Sequence, residues 1–357
     1  MSLTSLPIAN LEKFESRAVL KKTATAHRYL AELKGVAETI PNEAILINTL
    51  TLQEAKDSSE IENIVTTHDE LYKANLLTEA LLDPSAKEVQ DYAYALREGF
   101  NTVRKNKIIR LQDILLVQQI LEKNNAGLRK LPGTSLKNAA TGEVVYEPPQ
   151  DANEVLALMN NLIQFVNDDD LSDSDPLIKM ALIHHQFESI HPFYDGNGRT
   201  GRILNILYLV IQGLLDLPVL YLSRYFIKNK AEYYAQLQAV RDSQDWEPWF
   251  LYMLEAITET SKTTIVLIKQ IKILMSDYKH RIRAELPKIY RQELINNLFN
   301  HPYTKIEFVM NDLEVSRITA TKYLEQLVES GFLHKEKIGR HNYYINQPLC
   351  GLLIEHS

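Results

Sequence analysis

Through most of the chain, apolar residues recur every three to four positions, the spacing that lines one face of a helix. "NLEKFESRAVLKKTATAHRYLAELKGVAETI" and "TLTLQEAKDSSEIENIVTTHDELYKA" follow it before residue 110. The pattern breaks in "LRKLPGTSLKNAATGEVVYEPP", residues 128–149, where Pro132, Gly133 and Gly142 punctuate two short runs, and this predicts a β-hairpin. Helical spacing returns in "DSDPLIKMALIHHQFESI", which offers Asp175 as an N-cap and Pro176 at the first helical position. The most apolar stretch, Ile203–Leu222, is interrupted by Asn205, Gln212, Asp216 and Pro218. A bilayer core would penalise those residues, so the stretch predicts a buried helix rather than a membrane span. From residue 286 the order becomes helix, short helix, a turn at Glu314 to Ser316, a third helix over Arg317 to Ser330, then two strands around Gly339. The chain therefore reads as mainly α in three regions: a helical one over 1–110, a second over 111–285 with the hairpin, and an α+β one over 286–357.

Composition narrows this only a little. A chain of 357 residues with 45% hydrophobic content can bury a core in each of two or three domains. The single cysteine, Cys350, excludes an internal disulfide framework and a cysteine zinc site, which fits a reducing compartment; the cytoplasm is the expectation. The N-terminus lacks a basic segment followed by an apolar one, so no secretory signal is read there. A net charge of −7 argues against a protein given over wholly to nucleic acid, while leaving room for a local basic surface.

The chemistry concentrates in "HPFYDGNGRTGR", residues 191–202. Gly196 and Gly198 flank Asn197 and allow a ligand to approach the backbone, and an apolar helix follows at once. Exposed amides at a helix N-terminus make an anion site. Arg199 and Arg202, three apart, can reach the same anion. Asp195 would repel a bare phosphate, so it fits best beside a hard cation such as Mg²⁺ that bridges it to phosphate oxygens. His191 then stands where a general base for an incoming hydroxyl is useful. His184, His191 and Asp195 could instead be metal ligands, but the arginines and glycines would then have no role.

This stretch matches in full the signature of the Fic family, His-Pro-Phe-x-(Asp/Glu)-Gly-Asn-Gly-Arg-x-x-Arg, and the chain resembles that family over roughly residues 111–260. The resemblance implies a helical bundle with a hairpin flap, and transfer of AMP from ATP to a hydroxyl side chain (Ser, Thr or Tyr) of a target protein. It assigns His191 as the base, Asp195 as the Mg²⁺ ligand, Gly196, Asn197 and Gly198 as the anion hole, and Arg199 and Arg202 as the grip on the β and γ phosphates. Phe193 becomes an apolar anchor. Relatives that act as kinases carry a bulky basic residue where this chain has Gly198, so AMP transfer is favoured over phosphoryl transfer. The hairpin resembles the family's flap, which docks a target by strand addition, with Ser135, Leu136 and Lys137 as its edge. By family position Tyr233 would face the adenine, while Arg241 stands where some relatives place a base-contacting amide. "SSEIEN", residues 58–63, matches the family's inhibitory motif through Ser58, Glu62 and Asn63. Glu62 would pair with Arg202 in the space of the γ-phosphate, with Ser58 orienting it by a hydrogen bond.

The last region resembles a winged helix. From Ser316 to Tyr344 it carries Arg317, Lys322, Lys335, Lys337 and Arg340 against Glu325, Glu329 and Glu336, a thin footprint for DNA. Such folds also dock proteins or form homodimers, and all three partners stay open. Two other readings stand beside an autoinhibited adenylyltransferase: a transcriptional regulator whose Fic domain senses nucleotide, and a Fic enzyme that mainly removes AMP. An intact His191 favours the transferase over the sensor, which needs phosphate-binding groups but no base.

Overall fold

The structure, a computed structural model, describes residues 3–74, 83–137, 141–338 and 341–355. The first four helices are α1 (Arg17–Ala37), α2 (Glu43–Ile61), α3 (His68–Ala74) and α4 (Pro84–Asn106). There follow α5 (Leu111–Glu122), the strands β1 (Leu136–Lys137) and β2 (Val144–Tyr146), α6 (Ala152–Asn167), α7 (Pro176–Ile190) and α8 (Asn197–Ile211). Next come α9 (Leu222–Lys228), α10 (Lys230–Ser243) and the long α11 (Glu247–Glu285). The chain closes with α12 (Gln292–Asn300), β3 (Tyr303–Thr304), α13 (Ile306–Leu313), α14 (Arg317–Glu329), β4 (His334–Ile338), β5 (His341–Ile345) and α15 (Gln347–Glu355).

Helix α7 forms the centre: all its residues from Leu177 to Ile190 are buried, the polar Lys179, His184, His185, Gln186, Glu188 and Ser189 included. As the sequence predicts, Asp175 caps it, accepting from the Leu177 amide at 2.8 Å, with Pro176 in the first turn. Helix α8 packs against α7, and α4 crosses α5, α8 and α2. The Trp249 indole donates to the Ala181 carbonyl at 2.9 Å and fastens α11 to this centre.

Helix α1 lies along α11, while α2 packs on α4 and α9, so residues 1–110 share one body with the region that follows them. The buried helix expected over Ile203–Leu222 is shorter than predicted. It stops at Ile211, where Gly213 turns the chain at φ 67°, and Leu215 to Tyr221 is largely buried without helix, past Asp216 and Pro218.

The predicted hairpin is present, with Leu136 opposite Tyr146 and Lys137 opposite Val144 in antiparallel register. At the C-terminal end the three helices α12, α13 and α14 and the two strands β4 and β5 follow the expected order, while the short β3, which completes an antiparallel sheet β3-β5-β4, and the closing helix α15 were not foreseen. Gly339 and Arg340 lie outside the described residues. Tyr278, in the second half of α11, donates its hydroxyl to the Phe332 carbonyl at 2.8 Å, with Asn346 Oδ1 at 3.1 Å beside it, so one long helix serves both the bundle and this module. The module also grips the elements on either side of Glu62. Asn48 and Gln53 of α2 donate to Asn300 Oδ1 and the Leu353 carbonyl, each at 2.6 Å. Beyond Glu62, Asp69 of α3 accepts from the Tyr303 hydroxyl at 2.7 Å, and Lys73 pairs with Glu336 at 3.5 Å.

Candidate active site

Residues 191–202 join the two central helices, and their local structure follows from their residue types. His191 ends α7 in the left-handed region (φ 49°) and Gly196 opens α8 there too (φ 76°). Phe193 is fully buried beside Phe187, the anchor expected of it. The Asn197 side chain accepts from the Phe193 amide at 2.8 Å and donates to its carbonyl at 2.9 Å. That side chain is therefore spent on holding the loop, and what Asn197 can offer an anion is its backbone amide. The first amides of α8 have no intrahelical acceptor, as at any helix start.

A carboxylate lies between the two arginines of the loop. Glu62, the C-cap of α2, sets Oε1 at 2.7 Å from Arg202 and Oε2 at 2.9 Å from Arg199 Nε. A Cβ on Gly198 would come within 2.6 Å of that same Oε1, so a larger residue there would push the carboxylate aside. Ser58 acts differently from its expected part. Its Oγ accepts from Arg202 Nε at 2.7 Å and its carbonyl from the same guanidinium at 3.0 Å; it orients the arginine rather than Glu62. Asn63 turns the chain at φ 65° just after the carboxylate and accepts from Lys230 at 3.1 Å.

His191 sits at the other side of the loop. Burial, with Arg241 and Arg129 nearby, holds its imidazole down at about 4, so it is neutral at pH 7. The Glu188 carbonyl lies beside the ring and opposes the lowering slightly. Asp195 is exposed at the loop tip and accepts from the Gly196 amide at 2.8 Å. Among the described residues no group of three His, Cys, Asp or Glu could hold a metal alone. One carboxylate facing outward fits a cation shared with phosphate oxygens, the usual way Mg²⁺ is bound. The alternative set with His184 fails. Its Nδ1 faces the Asn205 amide at 3.0 Å, its Nε2 the Tyr233 hydroxyl at 2.8 Å, and burial holds it at about 3.

The adenine assignment needs correction. Tyr233 is 1% exposed and stacks on Phe226 at 4.6 Å, as part of the core. Neighbouring helical residues point roughly 100° apart, which turns Tyr234 outward at 47% exposure. Arg241 lies over the Tyr146 ring at 4.1 Å and donates to Ser189 Oγ at 3.1 Å, clamping the hairpin to the end of α7. Ser135 and Leu136 are half-buried and Lys137 is exposed, with Val144 and Val145 exposed on the opposing strand.

Sequence reasoning missed two groups. Arg129, 1% exposed, donates to the carbonyls of His191 at 2.8 Å, Ile190 at 3.2 Å and Pro149, and so ties the hairpin base to the loop. Glu122 and Glu88, from α5 and α4, pair with Arg199 at 2.8 Å and 3.2 Å. Glu88 and Glu122 sit in ordinary helical spacing and Arg129 in the irregular run before the hairpin, and none of the three gave a signal.

A motif loop between two buried helices, with a hairpin beside it, defines the Fic class of proteins, and the comparisons agree. Residues 20–101 match the Fic/DOC family N-terminal model and residues 102–209 the Fic/DOC family model; residues 274–349 match the model of the C-terminal domain of SoFic-like protein adenylyltransferases. The first two together span more than half of the chain, which belongs to the Fic family. It is similar to the protein adenylyltransferase fic-1 of Caenorhabditis elegans, 32% identical over 107 residues, or 29% of this chain and 19% of that protein. A probable protein adenylyltransferase of Aquifex aeolicus is 28% identical over 204 residues, covering 56% of this chain and 57% of the relative. The chain thus aligns with less than two thirds of the length of either. Among solved structures, a Fic family protein from Desulfovibrio desulfuricans superposes with a TM-score of 0.58 at 20% identity, over 92% of this chain and 96% of that one. A Fic domain containing signalling protein from Bacteroides thetaiotaomicron gives 0.56 at 18% identity, over 69% and 97%. Both speak for the fold alone.

Proposed function

We propose that the chain is a protein adenylyltransferase, held at rest by Glu62. The observation that carries this reading is the Glu62 carboxylate lodged between Arg199 and Arg202 at the start of α8, where a phosphate would otherwise sit. The names of the relatives support the reaction class. In the step itself a target hydroxyl attacks the α-phosphorus of ATP. The new O–P bond forms as the bond to the β-phosphate breaks, pyrophosphate leaves, and the hydroxyl proton passes to neutral His191. The α8 amides and the two arginines neutralise the phosphate charge, and positioning with electrostatics does most of the catalytic work. Asp195 would hold Mg²⁺, which adds further charge neutralisation at the phosphates. Tyr234 takes the place beside the base, and the hairpin edge from Ser135 to Lys137 receives the target backbone. Residues 1–110 carry the brake, 111–285 the catalytic loop, and 286–357 a winged-helix docking module.

Purified protein is incubated with α-labelled ATP and Mg²⁺, alone and with cell lysate, beside His191→Ala. Label that stays on protein through denaturation, and is absent with His191→Ala, supports the reading. Tight ATP binding without any transferred label, from both wild type and Glu62→Gly, would replace it with nucleotide sensing.

A further inference from the structure

We propose that Glu122, assisted by Glu88, is the standing counter-ion of Arg199, a positioning residue that keeps this arginine aimed at the phosphates once Glu62 has withdrawn. The inference rests on the function proposed above and deepens it. The two motif arginines are held in different ways. Arg202 meets Glu62 and Ser58. Arg199 pairs with three carboxylates: Glu88 and Glu122 accept hydrogen bonds from its two terminal nitrogens at 3.2 Å and 2.8 Å, while Glu62 stands 2.9 Å from Nε without the alignment of a hydrogen bond. When Glu62 leaves, the Nε edge of Arg199 opens toward the site, while its two terminal nitrogens stay anchored from α4 and α5. The guanidinium plane is then preset for a phosphate oxygen and loses little freedom on binding.

The place of Glu122 is otherwise unfavourable. It is the last residue of α5, where the helix dipole disfavours a negative charge. Its side chain is only 13% exposed, and burial raises its pKa, against the lowering effect of Arg199 and with the added repulsion of Asp195, Glu62 and Glu88. A carboxylate persists in such a spot when a partner compensates for it, and here that partner is Arg199. Glu122 also lies against the start of α8, since a Cβ on Gly196 would fall 2.4 Å from its Oε1. One carboxylate thus braces both the glycine that opens the anion site and the arginine one turn inside it.

The test uses the full chain in the Glu62→Gly background and compares Glu122→Ala and Glu122→Gln by kcat and KM for ATP. Loss of alignment lowers kcat of Glu122→Ala by at least about tenfold. Its KM for ATP does not rise, because removing a negative charge near the phosphates favours ATP. Glu122→Gln keeps an oxygen acceptor for Arg199 and restores kcat to within about threefold of the parent. A rise of kcat/KM in both variants would make Glu122 a mere competitor of phosphate and overturn the proposal. So would unchanged kcat in both, or a rise in KM with kcat retained, the mark of general damage to the loop. If Glu122→Ala melts below the assay temperature, a kcat of Glu122→Gln within threefold of the parent supports the role, and a tenfold loss in this shape-preserving variant contradicts it. A Glu62→Gly parent that transfers no AMP sinks the functional reading itself, whereas an active parent with indifferent Glu122 variants sinks this inference alone.

Discussion

Two regions of the molecule gather cations where an anion could be met, and they treat them in opposite ways. In the loop, Arg199 and Arg202 are buried, with side-chain exposures of 4% and 2%, and each is matched to carboxylates from distant helices. In the C-terminal module Arg317 pairs with Glu307 at 3.1 Å and Lys335 with Glu325 at 2.5 Å, both on the surface. Lys322 is exposed, and Arg340 lies outside the described residues. A buried arginine with a displaceable partner is an anion site in waiting, since exchanging one carboxylate for phosphate leaves its desolvation already met. A surface pair contributes about 0–1 kcal/mol and is screened by salt, so it builds little of a nucleic-acid footprint. The difference teaches that counting charges along a sequence says less than knowing which of them are enclosed.

The sharpest way to break the comparison is at His191. Its replacement by alanine should cut transfer by about 10²–10⁴-fold in the Glu62→Gly chain. ATP affinity, measured by calorimetry, should hold, because the phosphate grip comes from other groups. Next, adding Arg202→Ala to Glu62→Gly should remove a gain on the order of a hundredfold, as the phosphate chain loses its anchor and alignment. Equal labelling by the single and double variants would take Arg202 out of the grip.

Smaller effects follow. Ser58→Ala leaves Arg202 Nε without its acceptor and should raise wild-type labelling several-fold, in line with the roughly 1 kcal/mol of one hydrogen bond. Loosening the module's hold on α2 and α3 by Asn48→Ala with Tyr303→Ala should give a similar rise in wild type. The same pair should do nothing in Glu62→Gly; an equal rise there would show that the module acts elsewhere. The pH profile is flatter still. His191 is held at about 4 and stays neutral above that value, so labelling by Glu62→Gly should be nearly constant from pH ~7 to ~5.5. A fall to half its value near pH ~6.5 would mean an imidazole exposed to solvent. Least of all, Lys322→Ala should change duplex affinity of the full chain at ~0.15 M salt by less than about twofold; a steep salt slope lost with Lys322 would restore the DNA reading.

Much of this was legible in the sequence because it is contiguous. The loop carries its glycines, base and arginines in twelve neighbouring positions, and Ser58 and Glu62 show their shared face by an i, i+4 spacing. Asp175 and Pro176 announced α7, and the glycines and proline of residues 128–149 announced the hairpin. What stayed hidden depends on packing. Tyr233 and Tyr234 are chemically identical neighbours, and only the rotation of α10 against Phe226 and His184 decides which is buried. Arg129, Glu88 and Glu122 reach the loop from three separate segments, and each alone looks like an ordinary surface charge. Tertiary proximity gives them their roles.

Replacing Glu62 also costs stability. Breaking one side of a fully buried pair removes roughly 3–5 kcal/mol, and this one should cost less because the Glu62 side chain is 24% exposed. Thermal melts of Glu62→Gly should therefore lie below wild type and recover in ATP, which supplies the missing anion. The central claim is tested most directly by label transfer from α-labelled ATP to protein, by wild type and Glu62→Gly at equal concentration, saturating ATP and Mg²⁺. The account predicts a rate on the order of a hundredfold higher for Glu62→Gly, abolished when His191→Ala is added. Equal rates for wild type and Glu62→Gly would mean that the carboxylate between Arg199 and Arg202 is a structural ion pair and not a brake.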